Sequence, residues 1–519
     1  MESSIIGYSR GDYSAKTFQA VNPANGEKLS AHYAFASSSD VDKACEIAAD
    51  AAMEMAGFDG KKKAVFLRCL ADGIDEITDL LVEIMRLETG LPEPRVRGET
   101  GRTSGQLRMF ANLVEEGNWV DARIDRAQAE RQPLPKPDLR SMLRPMGPVA
   151  VFCASNFPLA FSVAGGDSAS AWAAGCPVVV KAHHAHPGTA LLVAEKVVDC
   201  LKACDWPEGA FSLLFGEGRT VGQALVSNPS IKAVGFTGSR SGGKALFDVA
   251  SCRPEPIPVF AEMSSINPIV VFNEMDDQTT EEFTDGLMGS ATLGTGQFCT
   301  NPGVVFHPGG DWGKTFVSSY AKKMSEFSPC PMLHKGIRQA YLSGLNRLSS
   351  IPGIEVVHQS ELDLQDPGCL AGTCVMSTHA DNFLNDESMM DEVFGPSTLL
   401  VAYDSKEQLM ELTKRIEGQL TISLFGENSD LIENESLIAF LETKAGRILF
   451  NQFPTGVEVC PSVVHGGPYP ATSDSRSTSV GTGAILRFAR PICYQGFPDK
   501  FLPVELQEKN PLGIRRSEV

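Results

Sequence analysis

A chain of 519 residues with 43% hydrophobic content is too long for one ordinary core and too apolar to remain disordered, and about three domains are expected. A formal net charge of -19 excludes the basic face that a nucleic-acid groove needs. Thirteen cysteines, with no paired C-x-x-C spacing, exclude a disulfide framework and read as reduced thiols of a cytoplasmic protein.

The first residues hold Glu2, Arg10, Asp12 and Lys16, so no signal-peptide apolar core is expected. Helical periodicity covers residues 37–57 and 61–90, with Ser39 and Asp40 as a start and Gly90 before Pro92 as a stop. A third helix is predicted over 103–116. Residues 121–144 are charged and dotted with Pro133, Pro135 and Pro137, which predicts an excursion away from a core. Residues 145–166 carry no charge and are long enough to span a bilayer, but Pro145, Pro148, Ser155, Asn156 and Pro158 would break such a helix. They read instead as a buried strand, a turn and the start of a helix, so no membrane span is expected.

From there strands and helices alternate. Strands are predicted at 149–153, 178–180, 210–215, 233–236 and 258–261. Helices are predicted at 168–174, at 188–204 and from Ser239. Such alternation with short connections predicts a parallel sheet covered on both faces, with ligands at the carboxyl ends of its strands. A second α/β unit is expected over about 273–470. No internal repeat or low-complexity segment occurs.

Six segments carry candidate chemistry, and each is ordinary on its own. Gly294-Thr295-Gly296-Gln297-Phe298-Cys299-Thr300 places a thiol after a small-residue loop that a substrate can approach closely. Ser155-Asn156-Phe157-Pro158 follows a strand, where an asparagine amide can donate to a developing oxyanion. In Val179-Val180-Lys181 a lysine ends a buried strand within reach of ribose hydroxyls. Gly235-Phe236-Thr237-Gly238-Ser239 is a strand-to-helix turn whose N–H groups suit a pyrophosphate. Phe260-Ala261-Glu262 sets a carboxylate at a strand end. Glu392-Val393-Phe394-Gly395-Pro396 is a loop entering a strand.

In this order and spacing the six segments resemble the aldehyde dehydrogenase superfamily over most of the chain. The likeness is closer to one branch, the bacterial NADP-preferring enzymes for fatty aldehydes and for α-ketoglutaric semialdehyde. It is carried by Glu262-Met263-Ser264-Ser265-Ile266-Asn267-Pro268, by the 101–108 segment and by Arg487-Phe488-Ala489-Arg490-Pro491-Ile492-Cys493-Tyr494-Gln495. Two departures stand out. Ser264, Ser265 and Ile266 replace the family's usual glycine pair and lysine. Its glycine-rich arginine motif near the C-terminus is absent, with Val463-Val464-His465-Gly466-Gly467-Pro468 nearby.

The resemblance implies an α/β fold in three parts. A Rossmann-like cofactor domain takes 1–120 and 148–272, a catalytic domain 273–470, and small bridging strands 121–147 and 471–519. Those strands imply a homodimer or homotetramer. The resemblance also implies Cys299 as the nucleophile that forms a thiohemiacetal and then a thioester, Asn156 as the oxyanion donor and Glu262 as the base. Lys181 and Glu392 are implied as ribose ligands, Gly238 and Ser239 as the pyrophosphate turn, and Phe394 as packing beside the nicotinamide.

NADP is expected to be preferred over NAD. The glutamate that commonly follows the ribose lysine by three is His184 here, and Arg219 matches an arginine of the NADP-preferring branch. A small-molecule aldehyde is the expected partner, with no metal. α-Ketoglutaric semialdehyde is favoured over a fatty aldehyde because Arg102 and Arg108 can meet a far-end carboxylate. Phe157 and His465 complete the candidate substrate contacts. Rival readings are acyl transfer to coenzyme A, which Glu262 opposes, and a catalytically silent scaffold, which the intact Cys299, Glu262 and Asn156 oppose. A thiol protease is disfavoured because no histidine with a recognisable motif accompanies Cys299.

Overall fold

The computed structural model describes residues 1–14, 16–362 and 367–518. Two seven-stranded sheets dominate it. The first runs in the order Val259–Glu262, Ala233–Thr237, Val149–Phe152, Val178–Lys181, Phe211–Leu214, Ile5–Ile6 and Ser9–Arg10. Its first five strands are parallel and the last two pair antiparallel. The chain steps from Val149–Phe152 to one side twice, then returns to its other side with Ala233–Thr237. That reversal opens a crevice at the strand ends, where α/β sheets bind ligands. Continuous apolar runs such as Val178–Val180, fully buried, are what a sheet covered on both faces requires.

The second sheet runs Glu355–Gln359, Cys374–His379, Ser397–Tyr403, Val304–Pro308, Ile269–Val271, Gln419–Phe425 and Ala445–Phe450, parallel except for its first edge strand. Ile269–Val271 therefore belongs to this sheet, although the expected boundary at 272 assigned it to the first unit. Its three residues are wholly buried and need partners on both edges. A smaller sheet joins Ala489–Gln495, Leu139–Pro145, Arg123–Asp125 and Ser517–Glu518, drawing on both segments expected to supply bridging strands.

The helices differ from expectation at two places. The stretch read as one helix over 61–90 is Gly60–Glu76 and Thr78–Thr89, broken at Ile77, while Gly90 ends it in the left-handed conformation (φ 69°) as expected. The helix expected from residue 103 begins at Glu93 and runs to Glu116. Gly98 and Gly101 masked its first half, since glycine is a poor helix former. Burial of Val96, Glu99, Leu107, Phe110 and Val114 holds it nonetheless. No helix among the described residues is long and apolar enough to cross a membrane, and 145–166 forms the expected strand, turn and helix start at Gly166.

Candidate active site

The thiol sits on a tightly wound loop. Gly294, Thr295 and Gly296 have φ of 57°, 59° and 66°, three successive left-handed residues, and Thr295 adopts that conformation against its own side-chain sterics. A Cβ on Gly296 would lie 2.3 Å from the carbonyl carbon of Gly395, so only glycine lets the Cys299 loop close on the Glu392 loop. Asn267 Nδ2 then donates to the carbonyls of Cys299 and Asn301 at 2.8 and 2.9 Å. Asn301 Nδ2 donates to Gly395 O at 3.1 Å. The loop is braced and Cys299 stays half-buried.

Glu262 ends its strand with a side chain only 2% exposed. Ser479 Oγ donates to one of its carboxylate oxygens at 2.6 Å, and His465 Nε2 lies 2.8 Å from the other. The same Nε2 is 3.3 Å from Cys299 Sγ, so one imidazole nitrogen links the carboxylate to the thiol. Burial works to raise the pKa of Glu262, but His465, Ser479 and Cys299 outweigh it and hold the carboxyl below its usual range. Burial and then the Glu262 charge push the Cys299 thiol well up, with Arg102 opposing them.

One sequence-based statement is extended here and one is corrected. Cys299 does have a histidine neighbour, 166 residues away in sequence. His465, expected among the substrate contacts, instead stands between thiol and acid with its backbone tied to Thr478 Oγ1 at 2.9 Å. Ser479 was missed altogether. Its segment was assigned to the bridging tail, yet Thr472 pairs with Glu262 and returns the chain to the site. Only pairing between distant segments carries that signal.

Asn156 and Cys299 line one cavity of about 490 Å³. Asn156 Nδ2 donates to Gln297 O at 3.0 Å, which fixes the amide beside the thiol loop. Its segment is anchored by the buried Glu99, whose Oε1 accepts from the N–H groups of Leu159 and Ala160 at 2.8 and 3.0 Å. Phe157 packs edge-on against Phe161 and Phe298, with centroids 5.3 and 5.2 Å apart, in an apolar cluster that includes Val459, Val463 and Val480.

The two candidate arginines of the Glu93–Glu116 helix part company. Arg102 is half-buried, 5.9 Å from the centres of both Phe157 and Phe161, and donates to Val457 O at 2.8 Å. It forms no ion pair among the described residues; burial lowers its pKa, and its charge reaches Cys299. Arg108 lies on the outer face, 40% exposed, paired with Asp72 and Asp75 at 2.6 and 2.8 Å. It is removed from the substrate set, because six residues turn a helix by most of two turns and the two side chains leave on different faces. Arg447, which no sequence motif marked, joins Arg102. It donates to Pro454 O at 2.8 Å and Gly456 O at 3.2 Å, and its charge also acts on Cys299.

The cavity continues to the carboxyl ends of the first sheet, past Gly238, Ser239, Glu392 and Phe394. Ser239 caps the helix Arg240–Ser251, accepting from Gly242 N at 3.2 Å. Thr237 Oγ1 is buried without a hydrogen-bond partner among the described residues. Lys181 is buried at its strand end, where burial lowers its pKa. Glu392, facing Ser264 and Ser265, is pushed up to about 7 by burial. His184 and Arg219 are exposed, and His184 stands beside His183 and His334, which line the cavity. A helix N-terminus, an orphaned hydroxyl and a buried ammonium fit a dinucleotide phosphate.

The aldehyde dehydrogenase family model matches residues 10–468. The chain is 47% identical to α-ketoglutaric semialdehyde dehydrogenase 2 of Azospirillum brasilense, over 99% of this chain and 97% of that protein. It is 42% identical to an α-ketoglutaric semialdehyde dehydrogenase of Acinetobacter baylyi, over 97% of this chain and 95% of that protein. Among solved structures, lactaldehyde dehydrogenase superposes with a TM-score of 0.82 at 20% identity, covering 95% of this chain and 98% of that one, which shows a shared fold. The thiol, buried carboxylate and parallel-sheet crevice thus occur in a chain that belongs to the aldehyde dehydrogenase family, oxidoreductases acting on aldehydes.

Proposed function

We propose that the protein oxidises α-ketoglutaric semialdehyde to 2-oxoglutarate, with NADP preferred over NAD. The observation that carries the substrate choice is Arg102, a half-buried guanidinium without a carboxylate partner among the described residues, set at the aromatic wall beside Cys299. A substrate carboxylate supplies the missing charge; an aliphatic chain does not. Arg447 adds to the same field, and two relatives of 42 and 47% identity bear this substrate in their names.

In this reading Cys299 gives its proton to the His465–Glu262 pair and attacks the aldehyde carbon. Asn156 Nδ2 turns from Gln297 O to the new oxyanion and acts with the Cys299 backbone N–H, at roughly 3–4 kcal/mol per donor. When bound, the nicotinamide supplies the hydride acceptor. The acyl group is then held by Cys299 as a thioester. Glu262 takes a proton from water, the oxygen attacks the thioester carbon, and the carboxylate product leaves as the thiol re-forms. Lys181 and Glu392 would hold the two riboses, Gly238 and Ser239 the pyrophosphate, Phe394 the nicotinamide ring, and His184 with Arg219 the 2′-phosphate.

The three-part division is retained with the first boundary moved ahead of Ile269, and with the four-stranded sheet as the assembly arm of a homodimer or homotetramer. Light scattering at several concentrations measures that state. Thirteen free cysteines support a cytoplasmic setting. The decisive experiment compares steady-state reduction of NADP with α-ketoglutaric semialdehyde and with hexanal or longer aldehydes. Higher kcat/KM for the aliphatic aldehydes overturns the substrate choice in favour of a fatty aldehyde dehydrogenase.

A further inference from the structure

Residues 463–468 and 471–480 meet at Glu262 with their backbones in contact. Thr472 pairs with Glu262, Met263 N donates to Ala471 O at 2.8 Å and Ser473 N to Ala261 O at 3.0 Å. The tail is thus bound along the strand that ends in Glu262. Further on, Ser479 N donates to His465 O at 2.8 Å, and His465 N donates to Thr478 Oγ1 at 2.9 Å. A Cβ on Gly466 would lie 2.4 Å from Ser477 O, so the absence of a side chain there is what admits this approach.

Ser479 is thereby fixed, 7% exposed, with its hydroxyl between two acceptors. Its Oγ lies 2.6 Å from one oxygen of the Glu262 carboxylate and 3.1 Å from His465 O. A hydroxyl has one proton, so it serves only one of these acceptors at a time. The carboxylate wins while it is charged, because charge-assisted hydrogen bonds are the shorter and stronger ones. When that oxygen carries a proton the roles invert. The carboxyl O–H then donates to Ser479 Oγ, and the hydroxyl turns its own proton to His465 O. Both charge states of this buried side chain are hydrogen-bonded as a result. Among the described residues no other hydroxyl bonds to the carboxylate, whose second oxygen faces His465 Nε2.

A general base passes through both charge states in each turnover, and a bare oxygen in a buried site penalises the charged state that acts on water. The two halves of the reaction do not depend on that oxygen equally. In the first, the Cys299 thiol has His465 Nε2 as a second neighbour, 3.3 Å from Sγ. In the second, the water that attacks the acyl group relies on Glu262.

We propose that Ser479 is a positioning residue for the hydrolytic half of the reaction, holding the Glu262 carboxylate aimed and hydrogen-bonded before and after it takes the proton of water. The proposal rests on the reading of Glu262 as the base. In that step one water proton passes to Glu262 and the water oxygen bonds to the thioester carbon. The C–S bond breaks, its electron pair stays on sulfur, and the sulfur takes the proton from Glu262. The acid leaves with the other proton of water. Ser479 exchanges partners and neither gains nor loses a proton.

Stopped-flow cofactor reduction by the full-length protein separates the first turnover from steady turnover, and intact-mass measurement after acid quench reads acyl adduct on the protein. Running it with NADP and NAD, and with α-ketoglutaric semialdehyde and hexanal, makes the result independent of the cofactor and substrate choices. Ser479→Ala is expected to complete its first turnover at the parent rate, which also counts the folded sites. Its steady turnover should fall by about tenfold to a hundredfold while the acyl adduct accumulates. Ser479→Thr, which keeps a hydroxyl, should recover most of the steady rate. Parent-like steady turnover in Ser479→Ala, a first turnover slowed as much as the steady rate, or equal losses in the Ala and Thr variants overturns the role of Ser479. The base reading still stands in each case if Glu262→Gln stalls after its own first turnover. Steady turnover of Glu262→Gln at the parent rate overturns the base reading, and the role of Ser479 with it.

Discussion

The two ends of the cleft hold their histidines under opposite electrostatic conditions. At the thiol end His465 Nε2 lies 2.8 Å from the buried Glu262 carboxylate, whose hydrogen bonds are completed within the protein by His465 and Ser479. At the cofactor end His183, His184 and His334 face one another and Lys181. A buried charge paired internally is ready for proton transfer before a substrate arrives. At the cofactor end burial, and then neighbouring positive charge, lowers the pKa of each ring. The same residue type thus meets a carboxylate in one place and a lysine with other imidazoles in the other, and the neighbours decide its electrostatics.

Breaking the thiol end gives the largest expected effect. Cys299→Ala abolishes turnover with every aldehyde, measured as NADP reduction. Glu262→Gln keeps a single burst of reduced cofactor in stopped flow but loses steady turnover by a factor on the order of 10²–10⁴, because water activation follows hydride loss. Residual steady turnover near the parent rate would remove Glu262 as the base. The Glu262 charge also holds the Cys299 pKa up, so Glu262→Gln should move the pH midpoint of iodoacetamide alkylation downward. In the parent, thiol reactivity is lost as pH falls, since the reactive thiolate lies above that raised pKa.

Next in size is the substrate cation. Arg102→Met should lower kcat/KM for α-ketoglutaric semialdehyde by roughly tenfold to a hundredfold and leave hexanal much less affected, the loss of a charge-assisted contact worth about 1.5–3 kcal/mol. Equal losses for both aldehydes would make Arg102 a packing residue only. For the cofactor, Arg219→Ala should raise the NADP Michaelis constant by about tenfold while moving that of NAD little; parallel changes would exclude a contact with the 2′-phosphate. Arg108→Met is the smallest effect. Its exposed pairs with Asp72 and Asp75 are worth at most about 1 kcal/mol in thermal or denaturant unfolding, and the ranking of aldehydes should not change.

Local chemistry made much of the protein legible in its sequence. Alternating apolar strands and helices announced a parallel sheet, and the sheet orders bear that out. The six motifs identified the family because each has a short local signature: a glycine loop before a thiol, a capped turn, an acid at a strand end. Elements went wrong where local signal was weak or misleading. Gly98 and Gly101 hid the first half of a helix that tertiary burial sustains, and periodicity ran on through the break at Ile77.

What only the tertiary structure decided is which distant groups share a space. Sequence spacing could nominate Arg102 and Arg108 together, yet helical rotation buries one beside Phe157 and pairs the other with outer carboxylates. The sequence contains His465 and Ser479, but their placement on Glu262 depends on the tail segment that pairs Thr472 with it. Arg447 comes near the thiol because its strand is the edge of a sheet ordered by crossovers. Backbone propensity and motif chemistry act over a few residues, so they are written locally. Charge, burial and proton sharing act through space, and the closing of the two sheets on one cleft sets them.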